Sequence, residues 1–195
     1  MDVDPYCWPG TTCLRNLLGI HDPKELDRAE HEIVGVRTAE LTASVVPGTY
    51  DTAHLLRFHR LMFRDVYDWA GQPRTGDISK GSVSFCRAQD LHQRLGLLFT
   101  HLAARRFLAS LERDAFVVAF ASLYGELNAI HPFREGNGRT QRAFLRQLGA
   151  HAGWTIAWQH LERAANDGAC RDYATTAKPD SLIKLLTPII EPRPQ

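Results

Sequence analysis

Apolar residues recur at helical rather than strand spacing along most of this chain. Over 22–41, Leu26, Ile33, Val34 and Leu41 form a rough stripe behind Pro23, which predicts a helix. Over 51–71, Leu55, His59, Met62, Val66 and Trp69 share one face and predict a second. Over 90–107, Leu91, Leu95, Leu98 and Leu102 predict a third. Phe116, Val117, Phe120, Leu123, Tyr124, Leu127 and Ile130 repeat at steps of three and four, as in an amphipathic helix. Phe144, Leu145 and Leu148 continue the same spacing, and Gly149 offers a stop. Weaker helices are expected after Trp154 and around "SLIKLLTPII". Pro and Gly fall between these segments, with no internal repeat or low-complexity linker. The expectation is an all-α helical bundle forming a single domain over residues 1–195.

One segment breaks the pattern. In "GQPRTGDISKGSVSFCRAQD", Ile78 and Lys80 alternate, Gly81-Ser82 supplies a turn, and Val83 and Phe85 alternate again. This predicts a short β-hairpin at about 74–88.

Composition adds exclusions. The chain has 195 residues, 44% of them hydrophobic, with a formal net charge of +1. That gives room for a sizeable core and no bulk field favouring nucleic acid or a membrane surface. No apolar run reaches the length of a membrane span. The opening "MDVDPYCWPG" is acidic and lacks the apolar stretch of a signal peptide. Cys7, Cys13, Cys86 and Cys170 form no CxxC pair and suggest neither zinc nor a disulfide framework. Scattered thiols fit a reducing cytoplasm. His54, His59, His92 and His101 lie without acidic partners at metal spacing and read as surface or core histidines. The four tryptophans read as core or boundary residues.

The chemistry concentrates in "HPFREGNGRTQR", His131 to Arg142, between two predicted helices. Asn137-Gly138 alone would suit a hairpin turn, but the helical flanks exclude strands. A helix start leaves N–H groups unpaired and partially positive, and Gly136-Asn137-Gly138 sits at such a start. Glycines let an anion approach those N–H groups, so the turn is a phosphate nest. Arg139 and Arg142, three apart, share a helix face and suit a polyphosphate. Glu135 with phosphate oxygens is a fitting Mg²⁺ site. His131 is the residue there able to take a proton near neutral pH. Phe133 is expected to plug into the core and stiffen the loop. No P-loop, kinase glycine loop or Ser-His-Asp arrangement competes with this reading.

The stretch resembles the signature of the Fic family, His-x-Phe-x-Asp/Glu-Gly-Asn-Gly-Arg-x-x-Arg, at all eight constrained positions. "WAGQPRTGDISKGSVSF" resembles the Fic flap, and "DPYCWPGTTCLRNLLGI" resembles the opening of small bacterial Fic toxins. The resemblance implies a Fic-type bundle with a β-hairpin over the active site. It implies transfer of AMP from ATP to a Tyr, Ser or Thr hydroxyl of a target protein. In that reading His131 is the base, and Asn137 with the nest holds the α-phosphate. Glu135 holds Mg²⁺, Arg139 grips the β-phosphate side, and Arg142 grips the γ-phosphate. Ile78, Ser79 and Lys80 form part of a target-docking edge. Family members that act as kinases carry Lys at the position of Gly138 and lack the second arginine, so Gly138 and Arg142 favour AMP. Transfer of UMP or phosphocholine uses the same motif and stays open.

Many Fic proteins are restrained by a helix with Ser/Thr-x-x-x-Glu-Gly/Asn, whose glutamate pairs with the second motif arginine. Ser122–Glu126 is followed by Leu127, and Thr187–Glu191 by Pro192, so neither matches. The chain therefore resembles the toxin half of a pair, with a small helical antitoxin supplying the glutamate. Small Fic toxins of this kind point to the ATPase subunits of gyrase and topoisomerase IV as targets. The rival readings are a non-catalytic nucleotide- or partner-binding module and a self-inhibited enzyme using Glu191.

Overall fold

Asp22 opens the first helix by accepting the Lys24 and Glu25 N–H groups at 2.9 Å each, and Pro23 takes the first helical position, where no N–H is needed. That helix is α1, Pro23–Ala43. Asp51 caps α2, Thr52–Phe63, in the same way. The computed structural model describes residues 4–81 and 83–193. Residues 1–3, which open the stretch read against a signal peptide, Ser82 of the expected Gly81-Ser82 turn, and residues 194–195 lie outside the described residues. Strands β1, Ser79–Lys80, and β2, Val83–Ser84, form the expected hairpin with Ser79 opposite Ser84 and Lys80 opposite Val83. Then come α3, Leu91–Ala104; α4, Arg113–Ile130; and α5, Asn137–His151. The chain continues with β3, Trp154–Ile156; α6, Arg163–Thr176; α7, Asp180–Leu186; and β4, Ile190–Pro192. The reading of a helical bundle with a short hairpin holds, and one further small antiparallel ladder, β3 with β4, is added. No helix among the described residues is long and apolar enough to cross a membrane.

The sequence explains why α4 lies at the centre. Its buried residues, among them Phe116, Phe120, Tyr124 and Leu127, lie on more than one side, and it packs against α3, α5, α6 and α7. Helix α5 packs against both α2 and α4, so the two motif-bearing helices are braced by the core. Phe144 of α5 is fully buried, its ring 5.8 Å from Phe58 and 5.6 Å from Phe99.

Three boundaries differ from expectation. Helix α2 stops at Phe63 instead of running on to residue 71. The following residues form turns, and the Val66 carbonyl accepts the Leu17 N–H of the N-terminal arm at 2.8 Å. Val66 and Trp69 are still buried, so the apolar spacing survives where the helix does not. Gly149 does not stop α5, which continues to His151. A side chain at Gly149 would meet Ile156 Cδ1 at 2.1 Å, so the glycine admits β3 against the helix. The "TPII" end of the last helical segment becomes a 3₁₀ turn and then β4, which pairs with β3. Pro188 cannot continue an α-helix, and Ile190 is buried by the ladder.

Phe144→Ala should therefore destabilise the protein by about 3–5 kcal/mol. Urea unfolding followed by circular dichroism measures this; a loss under about 1 kcal/mol would contradict the packing described.

Candidate active site

Helix α4 ends at His131, whose φ of 49° places it in the left-handed region. Its Nδ1–H donates to the Asn128 carbonyl at 3.1 Å, which leaves Nε2 as the acceptor. The Phe85 ring of the hairpin stacks on the imidazole, centroids 3.8 Å apart. Burial pushes the His131 pKa down to about 4, against the bond to Asn128; the Arg74 and Lys80 charges lower it further. The imidazole is thus neutral at physiological pH and able to accept a proton.

The loop that follows is built like a clasp. Asn137 receives the Phe133 N–H on Oδ1 at 2.9 Å and donates Nδ2–H to the Phe133 carbonyl at 2.7 Å. Phe133 is fully buried, as expected, and stacks on His59 at 3.9 Å. His59 accepts the Gly71 N–H on Nδ1 and donates from Nε2 to the Glu135 carbonyl. Burial pushes its pKa down to about 4, so it is a neutral core brace. Gly136 has φ 79°, and a Cβ there would lie 2.2 Å from the Phe63 ring. Only glycine fits that turn. The Gly136 N–H donates to the Glu135 carboxylate at 2.7 Å. The first intrahelical bond of α5 runs from the Thr140 N–H to the Gly136 carbonyl. The N–H groups of Asn137, Gly138 and Arg139 have no partner among the described residues. These N–H groups lie where the sequence placed the nest. The Asn137 side chain is committed to the loop, which leaves its backbone N–H as the group free to face the cleft.

The two motif arginines are treated differently. Arg139 donates from Nη2 to Glu30 at 2.5 Å and to Glu135 at 3.3 Å, and its guanidinium lies 4.8 Å from the Phe63 ring centroid. Glu30 also accepts the Tyr67 hydroxyl. Arg142 lies over the helix start, Nη1 3.2 Å from where a Cβ on Gly138 would stand. It forms no ion pair with any described carboxylate. Both arginines, Glu135, the nest and His131 open into one cleft of about 940 Å³.

The hairpin covers the His131 side of that cleft. Ser79 and Lys80 are exposed and Ile78 is half-buried. The outer edge of β1 has no backbone partner among the described residues. Lys80 Nζ reaches Asp167 on α6 at 2.9 Å, across the cleft mouth. Three residues escaped the sequence reading: Arg74, Glu30 and His59 as a loop brace. Glu30 carried a signal, since Leu26, Glu30 and Val34 fall four apart and place a carboxylate on the buried stripe.

The Fic/DOC family model matches residues 49–148. The chain is 38% identical over 162 residues to the probable protein adenylyltransferase Fic of Escherichia coli, covering 83% of this chain and 80% of that protein. It is 43% identical over 160 residues to the probable protein adenylyltransferase y4lH of Sinorhizobium fredii, covering 82% of each. It is 39% identical over 160 residues to the protein adenylyltransferase VbhT of Bartonella schoenbuchensis, covering 82% of this chain but 34% of that longer protein. Among solved structures, the BepC protein of Bartonella tribocorum with bound AMPPNP superposes with a TM-score of 0.89 at 25% identity, covering 97% of both chains.

Gly136→Ala should displace Phe63 or the nest and weaken ATP binding at least tenfold, read by calorimetry, while Gly138→Ala, whose Cβ meets only the movable Arg142 side chain, should do less. A second outcome concerns pH. His131 has a folded pKa of about 4 against 6.5 when unperturbed, so between those values the unfolded chain binds more protons. Its contribution therefore makes stability rise with pH across that window and fall in acid. Comparing urea unfolding of the parent and His131→Asn at pH 6.5 and pH 4.5 checks this, and the parent should lose more. Equal losses would contradict the burial described.

Proposed function

The chain belongs to the Fic/DOC family, and from that premise we propose that it transfers AMP from ATP to a hydroxyl side chain of a target protein. The observation that supports this most directly is the pairing, in one cleft, of a neutral imidazole with an open helix N-terminus. The first can take a proton. The second can hold the phosphate where negative charge develops in transfer.

The residues divide the work. The N–H groups of Asn137, Gly138 and Arg139 hold the α-phosphate. Arg139 keeps Nε and Nη1 for the β-phosphate side, since Nη2 is taken by Glu30 and Glu135. Arg142 takes the γ-phosphate, which turns pyrophosphate into the leaving group. Glu135 fits one role more: its carboxylate is half-exposed beside the nest, and one carboxylate with phosphate oxygens suits Mg²⁺. Bound there, Mg²⁺ neutralises charge on the phosphates. His131 Nε2 removes the proton of the incoming hydroxyl. The free edge of β1 at Ile78, Ser79 and Lys80 can register an extended target segment by strand addition. The resemblance to small toxins points to the ATPase subunits of gyrase and topoisomerase IV as targets, in the cytoplasm.

The same geometry supports an inhibitor on a separate small helical protein. Arg142 has no carboxylate partner among the described residues, so a glutamate from an antitoxin could occupy the γ-phosphate position. Glu191, the alternative internal source, is exposed on β4 opposite Thr155 and does not line the cleft. Glu126 is paired with Arg94 instead. The non-catalytic reading is disfavoured by His131, whose bond to the Asn128 carbonyl leaves Nε2 as the acceptor in the cleft.

With Mg²⁺ and a bacterial lysate, label should pass to protein from α-labelled ATP and not from γ-labelled ATP. His131→Ala should lower that rate by on the order of 10²–10⁴ and leave ATP affinity nearly unchanged. Transfer at the parent rate by His131→Ala would remove His131 as the base. Label arriving from the γ-position would replace AMP transfer with phosphorylation.

A further inference from the structure

The side chain that controls the end of α4 lies outside the motif. Arg74 belongs to the first leg of the hairpin, and its guanidinium is fully buried. Its hydrogen bonds all go to backbone carbonyls. Nε donates to His131 at 2.9 Å and Nη1 to Gly76 at 2.7 Å. Nη2 donates to Ile130 at 3.3 Å and to Cys86. The Arg74 N–H donates to the Pro132 carbonyl at 2.8 Å. The nearest carboxylate, Asp77, is 3.9 Å away and largely exposed. A buried cation without a close counter-ion is costly unless dipoles replace one. Here the carbonyl end of α4 supplies them.

These contacts join two things. Ile130 is the last residue of α4 and His131 is its C-cap. Gly76 and Cys86 are the two legs of the hairpin, and Cys86 also donates its N–H to the Ala129 carbonyl at 3.1 Å. Cys86 follows Phe85, whose ring stacks on the imidazole. One guanidinium thus fixes the backbone that carries His131 and the backbone that carries the ring covering it. His131 needs such support, because a left-handed φ in a residue with a Cβ is held only where its surroundings impose it.

We propose that Arg74 is a positioning residue: it locks His131 in the left-handed conformation, and it couples the flap to the base. This rests on reading His131 as the base. Arg74 does not line the cleft, so nucleotide binding should not depend on it directly.

The test compares Arg74→Gln and Arg74→Lys with the parent chain. Gln loses the fork and the charge; Lys keeps the charge with fewer directed donors. Label transfer from α-labelled ATP to the protein band modified in a bacterial lysate should fall on the order of 10²-fold in kcat for Arg74→Gln, the scale of an ångström-sized misplacement. Arg74→Lys should fall between that and the parent, and the KM for ATP should stay within about twofold in both. Independently of activity, the His131 ring protons should lose the upfield NMR shift produced by Phe85. If Arg74→Gln does not fold, Arg74→Lys carries both readouts, per folded molecule. A lower melting temperature with parental kcat and an unchanged His131 shift would show Arg74 to be merely structural and overturn the proposal. Should His131 prove not to be the base, His131→Ala retains transfer, while the shift still decides whether Arg74 positions the ring.

Discussion

Two helix ends facing one cleft govern this molecule. The carbonyl end of α4 and the N–H end of α5 are separated only by residues 131–136. The first carries partial negative charge and the second partial positive charge. A histidine at a helix C-terminus is ordinarily favoured as the cation, by up to about 2 kcal/mol where it is partly buried. The fold opposes this in two ways: the flap desolvates His131, and Arg74 binds the same carbonyl end with its own charge. The imidazole stays neutral. At the other end Glu135 takes the Gly136 N–H, and the N–H groups of Asn137, Gly138 and Arg139 stay unpaired among the described residues. The Asn137 side chain braces the loop, so the first N–H groups of α5 remain available to an anion. The His131 imidazole and the open start of α5 are therefore set apart by one clasp rather than by two independent loops.

The arginines show the same division between fixed and available charge. Arg139 is anchored by Glu30, which is itself buried and held by Tyr67. An anchored guanidinium loses little further freedom when it meets a phosphate, but it must share its fork. Arg142 has no such anchor among the described residues. It gives up more freedom on binding and has no internal competitor. An anion reaching Arg142 would therefore displace no ion pair among the described residues.

The parts legible in the sequence are those that depend on local pattern. The spacing of Phe116 through Ile130 declares α4, and Gly136-Asn137-Gly138 declares the start of α5 because few other residues allow that turn. The hairpin follows from alternation between Ile78 and Phe85. What could not be read depends on distant partners. Helix α2 ends at Phe63, and the N-terminal arm takes the Val66 carbonyl just beyond it, a contact that α2's own spacing does not encode. The β3–β4 ladder joins residues far apart in the chain, each strand too short to show a period. Arg74 looks like one more charge in a polar loop; only the fold shows that four carbonyls converge on it. Glu30 is the instructive middle case, because a carboxylate on an otherwise apolar stripe of α1 announces a buried partner without naming Arg139.

The flap combines contacts of two strengths, and the difference tells how it can move. Its tip is tied by Lys80 to Asp167, both at least partly in solvent. An exposed pair of this kind contributes about 0–1 kcal/mol, so thermal motion and salt can release it. Its legs are tied by Arg74 and by the Cys86 N–H to α4, with the guanidinium fully buried. Those bonds cannot be exchanged for water without exposing the charge and orphaning carbonyls. The hairpin is therefore held more loosely at Lys80 than at its legs, which keep Phe85 and His131 in register. A hairpin weak at both ends would let Phe85 leave the His131 ring.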